Sequence, residues 1–356
     1  MSNLEFLRSL SNHKGISGYE DSLNELIISH FEKYADEITT DKLGNIIALK
    51  KGCSPDKDPD KDRVKILIAA HMDEIGLMVK DIEENGFLRF TNVGGIDPRT
   101  ILGQEVIVHG KKELFGVIGA KPPHLQEPEE QKKAIKMEDM AIDIGLPYEK
   151  VKELVSIGDP ITIKRQLIEL KNDRYAGKAL DDRAGVVSIY ECIKELKNLS
   201  HEADVYFVAT VQEEVSMAGA LTATYKINPD IGIAVDVGFG TTPELDKADT
   251  LELGKGPGIT LGGNIHPGLR KKLVETAKEY NIPHQMEITV GPTGTDARAM
   301  QITREGVPSL VLSIPLRYMH TSVEVVDMDD IRNTGKLLAF FIKEISKDIL
   351  EGLLCY

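Results

Sequence analysis

Histidines and acids gather where apolar runs stop. His71 and Asp73 follow VKILIAA, Glu213 and Glu214 follow VYFVATVQ, Asp236 closes IGIAV, and His320 follows VLSIPLRYM. Asp181 and Asp182 stand where a loop enters the helical pattern RAGVV. Singly, each has an ordinary explanation: a histidine after a strand is usually a satisfied structural residue, and paired aspartates before a helix usually cap it. Together they describe a chemistry. Two adjacent carboxylates after an apolar strand carry a desolvation cost that a cation offsets. Two imidazoles and three carboxylates suit a borderline ion such as zinc or cobalt, with manganese a further choice, and no thiolate closes the set. One carboxylate shared by two divalent ions, with one histidine and one more carboxylate on each, uses five donors. Glu213 is then free to act as a general base toward water, and Asp73 is placed to fix the tautomer of His71.

The elements that position these groups follow from periodicity. VKILIAA is a near-continuous apolar run of the kind a strand buried on both faces requires. After Lys178 helical and strand patterns alternate: RAGVVSIYECIKELKNL, DVYFVATVQEE, DIGIAVDVGF, HPGLRKKLVETAKEYN and SLVLSIPLRYM. The expected fold class is α/β, a mostly parallel central sheet flanked by helices, whose ligands gather outside the carboxyl ends of its strands. LEFLRSLSN and GYEDSLNELIISHFEKYA read as opening helices, GNIIALKKG as a strand, and MDDIRNTGKLLAFFIKEISKDIL as one long closing helix. Between Asp81 and Ile163 the pieces FLRFTNV, EVIVHG and FGVIGA are short and alternating, which predicts an inserted β-rich domain over 74–163 within a discontinuous domain of 1–73 and 164–356. Inside the insert, EPEEQKKAIKMEDMAIDIGLPYEKVKEL reads as charged and helical, with Gly145 and Pro147 as its stop.

Composition excludes several functions. A net charge of -14 over 356 residues opposes binding to nucleic acid or to an anionic membrane. No apolar run approaches the roughly 20 residues that span a bilayer, and MSNLEFLRSLSNHKG lacks the layout of a signal peptide, so a cytoplasmic location is expected. Cys53, Cys192 and Cys355 are scattered, which suggests neither disulfides nor a thiolate site.

The motifs AAHMDEIG, GKALDDRAG, VQEEVSMAGA, AVDVG, PTGTDA and SIPLRYMHTSVEVV, in this order from first helix to last, resemble the glutamyl and tetrahedral aminopeptidases, a family of dinuclear metallopeptidases of which some members carry a cellulase or endoglucanase label. The resemblance implies that His71 and Asp236 hold one metal, Glu214 and His320 the other, and Asp182 bridges them, with Glu213 as proton shuttle and Asp73 as orienter. It implies a cis peptide between Asp181 and Asp182 and removal of N-terminal residues from peptides with a free amine. It also implies a zinc-peptidase-like sheet and a small β-barrel-like insert through which subunits pair, the pairs building a tetrahedral dodecamer. The loop CSPDKDPDKD is longer and more charged than the family pattern, and Arg298 occupies a variable position. Arg298 is read as a solvated helix residue, with pairing to an acidic substrate side chain as the lesser alternative.

Three other functions compete. A dinuclear deacylase or carboxypeptidase of small amides uses similar donors. An endoglucanase requires a carboxylate pair across a sugar cleft, usually with aromatic platforms, and this chain has no tryptophan. A non-catalytic assembly protein would be expected to have lost a donor or the base, and all six positions are present.

Overall fold

Apolar runs build the sheet that carries the donors. The computed structural model describes residues 2–53, 63–129 and 131–354; the charged loop 54–62 and Cys355 lie outside them. The main sheet has eight strands in the order Glu37–Thr40, Ile46–Lys50, Asp204–Thr210, Lys65–His71, Ile231–Phe239, Ser309–Leu316, Gly258–Gly262 and Gln285–Thr289. Its four central strands are mutually parallel, and antiparallel pairs appear only toward the two edges. Lys65–His71 is buried from Ile66 onward, as its unbroken apolar run requires.

Helices cover the sheet. The helix Leu180–Leu196 is buried along nearly its whole length, packed on Lys65–His71 and Ile231–Phe239 and against the helix Met328–Glu344. The closing segment is two helices, Met328–Glu344 and Lys347–Leu354, where one was expected. Among the described residues, no helix is long and apolar enough to cross a membrane.

The chain leaves the sheet just after His71 and enters a closed six-stranded barrel: Gly76–Ile82, Leu88–Val93, Met140–Asp143, Glu113–Ala120, Glu105–His109 and Pro160–Ile163 in spatial order. It has a core of its own, including Leu77, Leu88, Val106, Ile118, Ile142 and Ile161. Among the described residues, the expected α-helix ahead of Gly145 is absent. Met140–Asp143 instead pairs with Glu113–Ala120 and closes the barrel, with Met140 and Ile142 turned inward at the strand period. Pro147 caps the start of the helix Tyr148–Leu154 rather than stopping one.

Where barrel and sheet join, Glu74 is buried and receives both Lys178 Nζ, at 2.7 and 2.8 Å, and Arg183 Nη2, at 3.3 Å. Arg183, fully buried, also donates to the carbonyls of Met72, Leu10 and His13. A buried cation needs this many acceptors to recover its hydration. Burial, opposed by the charge of Glu74, pushes Lys178 down to about 8.

Candidate metal centre

Three loops and two strands bring the donors together. His71 ends its strand, and Asp236 sits inside Ile231–Phe239, three residues before that strand finishes rather than at its tip. Glu213 and Glu214 open the short helix Glu213–Ser216 beyond Thr210, and His320 lies four residues past Leu316. The three loops each hold a non-glycine residue in the left-handed region: Ala179 (φ 56), Gln212 (φ 57) and His320 itself (φ 59). Such conformations cost on the order of 1–3 kcal/mol each and persist where surrounding contacts overdetermine them.

The carboxylate between the two histidines belongs to Asp181. Its Oδ1 lies 3.1 Å from His71 Nε2 and its Oδ2 3.3 Å from His320 Nε2. His71, Asp181 and Asp236 form one group whose donor atoms all lie within 4.8 Å of one another, and Asp181, Glu214 and His320 form a second. Asp181 is common to both. Asp182, expected at this place, does not enter either group: its Oδ1 accepts the Gly185 N–H at 3.1 Å, capping the helix that begins there, while its Oδ2 is buried with no hydrogen-bond partner among the described residues. Asp181 thus stands where Asp182 was expected, and Asp182 caps the helix. The peptide between them is cis.

Backbone donors fix the frame. His71 Nδ1 donates to the Asp73 carbonyl at 3.2 Å, which leaves Nε2 as the nitrogen turned toward the acids. The Asp73 carboxylate, 3.5 Å from the same ring, accepts the N–H groups of Glu213 and Glu214, each at 3.1 Å. It thus aligns two elements at once. Two further acids do comparable work. Glu324 is buried and accepts from Leu180 N (2.8 Å), Asp181 N (3.2 Å) and His320 N (2.9 Å), tying the Asp181 loop to the His320 loop. Glu20 accepts from Gln212 N at 3.0 Å. Neither was identified from the sequence, because a side chain that serves only backbone N–H groups leaves no spacing signal; the one hint is the glutamate that interrupts the apolar alternation of SVEVV.

The electrostatics ask for cations. Burial and the Asp236 charge hold Asp182 well above the ordinary carboxylate range. Asp236 is raised likewise by burial, with Asp181 adding to the shift against the opposing charge of His71. Glu213 is pushed up to about 10 by burial and by Asp236 and Asp296 despite His71, and Glu214 to about 7 by burial and Asp181. Hydrogen bonding to Asp181 raises His320 to about 9. Among the described residues, the ion-pair partners of Asp181, Glu213 and Glu214 are the two histidines alone. Glu213 Oε1 is buried with no hydrogen-bond partner among the described residues. A divalent cation reverses shifts of this kind, and the donors are those that borderline ions choose. The residues fit a metal centre.

A cavity of about 410 Å³ opens beside these groups, lined by His71, Asp181, Glu213, Glu214, Asp236 and His320 on one side. Gly95, from the barrel, approaches so near that a Cβ there would lie 2.8 Å from His320 Nδ1. Arg298 is exposed on the helix Asp296–Gln301 and is not among the residues lining the cavity. Asp296, its helix neighbour, is buried and accepts from Thr210 Oγ1 at 2.5 Å.

Known proteins share this sequence and this fold. The family model for M42 glutamyl aminopeptidases matches residues 44–337. A lysyl aminopeptidase of Pyrococcus furiosus is 41% identical over 96% of this chain and 97% of its own length. The structure of a TET aminopeptidase from a marine sediment thaumarchaeote superposes with a TM-score of 0.92 at 34% identity, covering 99% of this chain and 98% of that one. The TET1 peptidase of Pyrococcus horikoshii, which can assemble into a tetrahedron or a large octahedral shell, matches with a TM-score of 0.84 at 36% identity over 97% of this chain and all of that one. The chain belongs to the M42 glutamyl aminopeptidase family and is a metal-dependent aminopeptidase.

Proposed function

We propose that the protein removes the N-terminal residue of peptides at a pair of divalent ions, one held by His71 and Asp236, the other by Glu214 and His320, with Asp181 shared between them and Glu213 as general base. The observation that carries this reading is the Asp181 carboxylate, which offers one oxygen to each histidine. Zinc or cobalt suits the mixed imidazole and carboxylate set. Divalent ions bound there supply Lewis acidity, which polarises the scissile carbonyl and makes water more acidic.

The chain's own groups do the rest. Glu213 borders the cavity with one unpartnered oxygen, so it takes the proton of the attacking water as the new C–O bond forms. It returns that proton to the amine as the C–N bond breaks. Asp73 holds Glu213 in place through its backbone N–H. The acid-lined wall favours a substrate that presents a free ammonium group.

Aminoacyl anilides, free and N-acetylated, tested on metal-stripped protein with zinc or cobalt restored, decide the matter. Cleavage of the free substrates alone, dependent on metal, is the expected result. Equal cleavage of the acetylated set would replace this reading by a deacylase.

The barrel, over 74–163, is assigned to subunit pairing. Phe115 and Val117 alternate outward on Glu113–Ala120 and are 64% and 50% exposed, an apolar pair unusual on a barrel wall otherwise turned to solvent. Such pairs are proposed to assemble further into a closed shell, as the Pyrococcus horikoshii relative can. In sedimentation the protein is expected to run as a multiple of dimers and Phe115→Asp as smaller species; a monomer at every concentration would exclude it.

A further inference from the structure

The cavity beside the metal donors is also lined by a carboxylate with no cationic partner among the described residues. Glu287, on the edge strand Gln285–Thr289, lines the cavity with Thr260, Thr289, Ser313 and Phe239. Its side chain reaches back over the sheet: Oε2 accepts from Thr260 Oγ1 at 2.7 Å and from Ser313 Oγ at 2.5 Å. Ser313 is the register partner of Asp236 on the adjoining parallel strand, which places the Glu287 carboxylate one strand from a proposed metal ligand. Gly238 makes room for it. A Cβ at Gly238, on the same face as Asp236 two residues earlier, would lie 2.8 Å from Glu287 Oε1. Among the described residues no lysine or arginine pairs with Glu287, and none lines the cavity.

From this geometry we infer that Glu287 selects a cationic side chain, lysine or arginine, on the N-terminal residue of the substrate. The inference rests on the aminopeptidase reading, with the substrate's first side chain lying in this cavity. Two hydroxyl donors on one oxygen hold the carboxylate in a fixed place and leave Oε1 to meet the incoming charge. A charged group already oriented and partly desolvated discriminates more strongly than a mobile surface acid, because little ordering remains to be done on binding. An acidic first residue finds no lysine or arginine among the residues lining the cavity and faces the Glu287 carboxylate, so on this reading the glutamyl preference in the family's name does not extend to this pocket.

The test compares lysyl, arginyl, leucyl and glutamyl anilides in the metal-loaded full chain, in Glu287→Gln and in Glu287→Lys. The lysyl-to-leucyl ratio of kcat/KM is expected to exceed about 10 in the unaltered protein and to fall on the order of 10–100-fold in Glu287→Gln, the discrimination of one charge-assisted hydrogen bond. Glu287→Lys is expected to shift preference toward the glutamyl substrate. A ratio unchanged in Glu287→Gln, with all substrates slowed alike, would reduce Glu287 to a structural role and overturn the proposal. A preference of the unaltered protein for leucyl or glutamyl substrates would overturn it while leaving the aminopeptidase intact; absence of cleavage of every free substrate would remove both.

Discussion

Asp181→Asn is expected to lower peptide-bond cleavage by roughly three orders of magnitude and to release bound metal. The loss corresponds to about 4 kcal/mol of transition-state stabilisation, the several kcal/mol that a Lewis-acid centre supplies. Asp181 is the group common to both donor sets, so its replacement weakens both at once, whereas loss of Glu214 or Asp236 would weaken one. Asp182→Asn supplies the control. Asparagine caps a helix about as well as aspartate, and the Gly185 N–H keeps its acceptor. That variant is expected to retain metal and activity within about tenfold. Metal content after dialysis and kcat/KM on a free aminoacyl anilide separate the two. Equal losses in both variants would show that Asp182, not Asp181 alone, contributes to the centre.

Glu213→Gln is expected to lower kcat by about 10²–10⁴-fold, the usual contribution of a positioned general base, with metal content near that of the unaltered protein. Glutamine preserves volume and polar contact but accepts no proton. Glu213 is not in either donor group, so retained metal with lost turnover is the signature of a base, and lost metal would instead identify a ligand. The pH profile gives a second readout. The acidic limb of kcat/KM that reports ionisation of the base should vanish in the variant while any alkaline limb stays.

Much of this centre was legible in the sequence, for one physical reason. A strand buried on both faces must be apolar throughout, so a histidine or acid at its end stands out, and His71, the Glu213–Glu214 pair and His320 announced themselves that way. Asp236 was found by the same signal although its strand continues past it. Adjacent aspartates carry no such label. Composition and spacing treat Asp181 and Asp182 alike, and only the backbone path decides which turns toward the histidines and which caps the helix. The strand Met140–Asp143 was hidden because its two inward residues sit in a charged neighbourhood whose pattern reads as helical; pairing across the barrel, a non-local contact, overrode that local pattern. Glu287 was out of reach for a similar reason. Its hydroxyl partners come from two other strands, and nothing in QMEIT distinguishes a pocket acid from a solvated edge residue.

The proposed ligands are scattered from residue 71 to residue 320, with the whole barrel made between the first and the second. A nascent chain therefore displays His71 long before Asp181, Glu214 or Asp236 exists, and His320 arrives last of the set. Contacts so far apart along the chain form late, after the entropy of closing large loops has been met by the sheet. On the proposed ligand set, ion capture would follow formation of the sheet rather than nucleate it, and a chain lacking any one of these scattered residues would be expected to hold metal poorly.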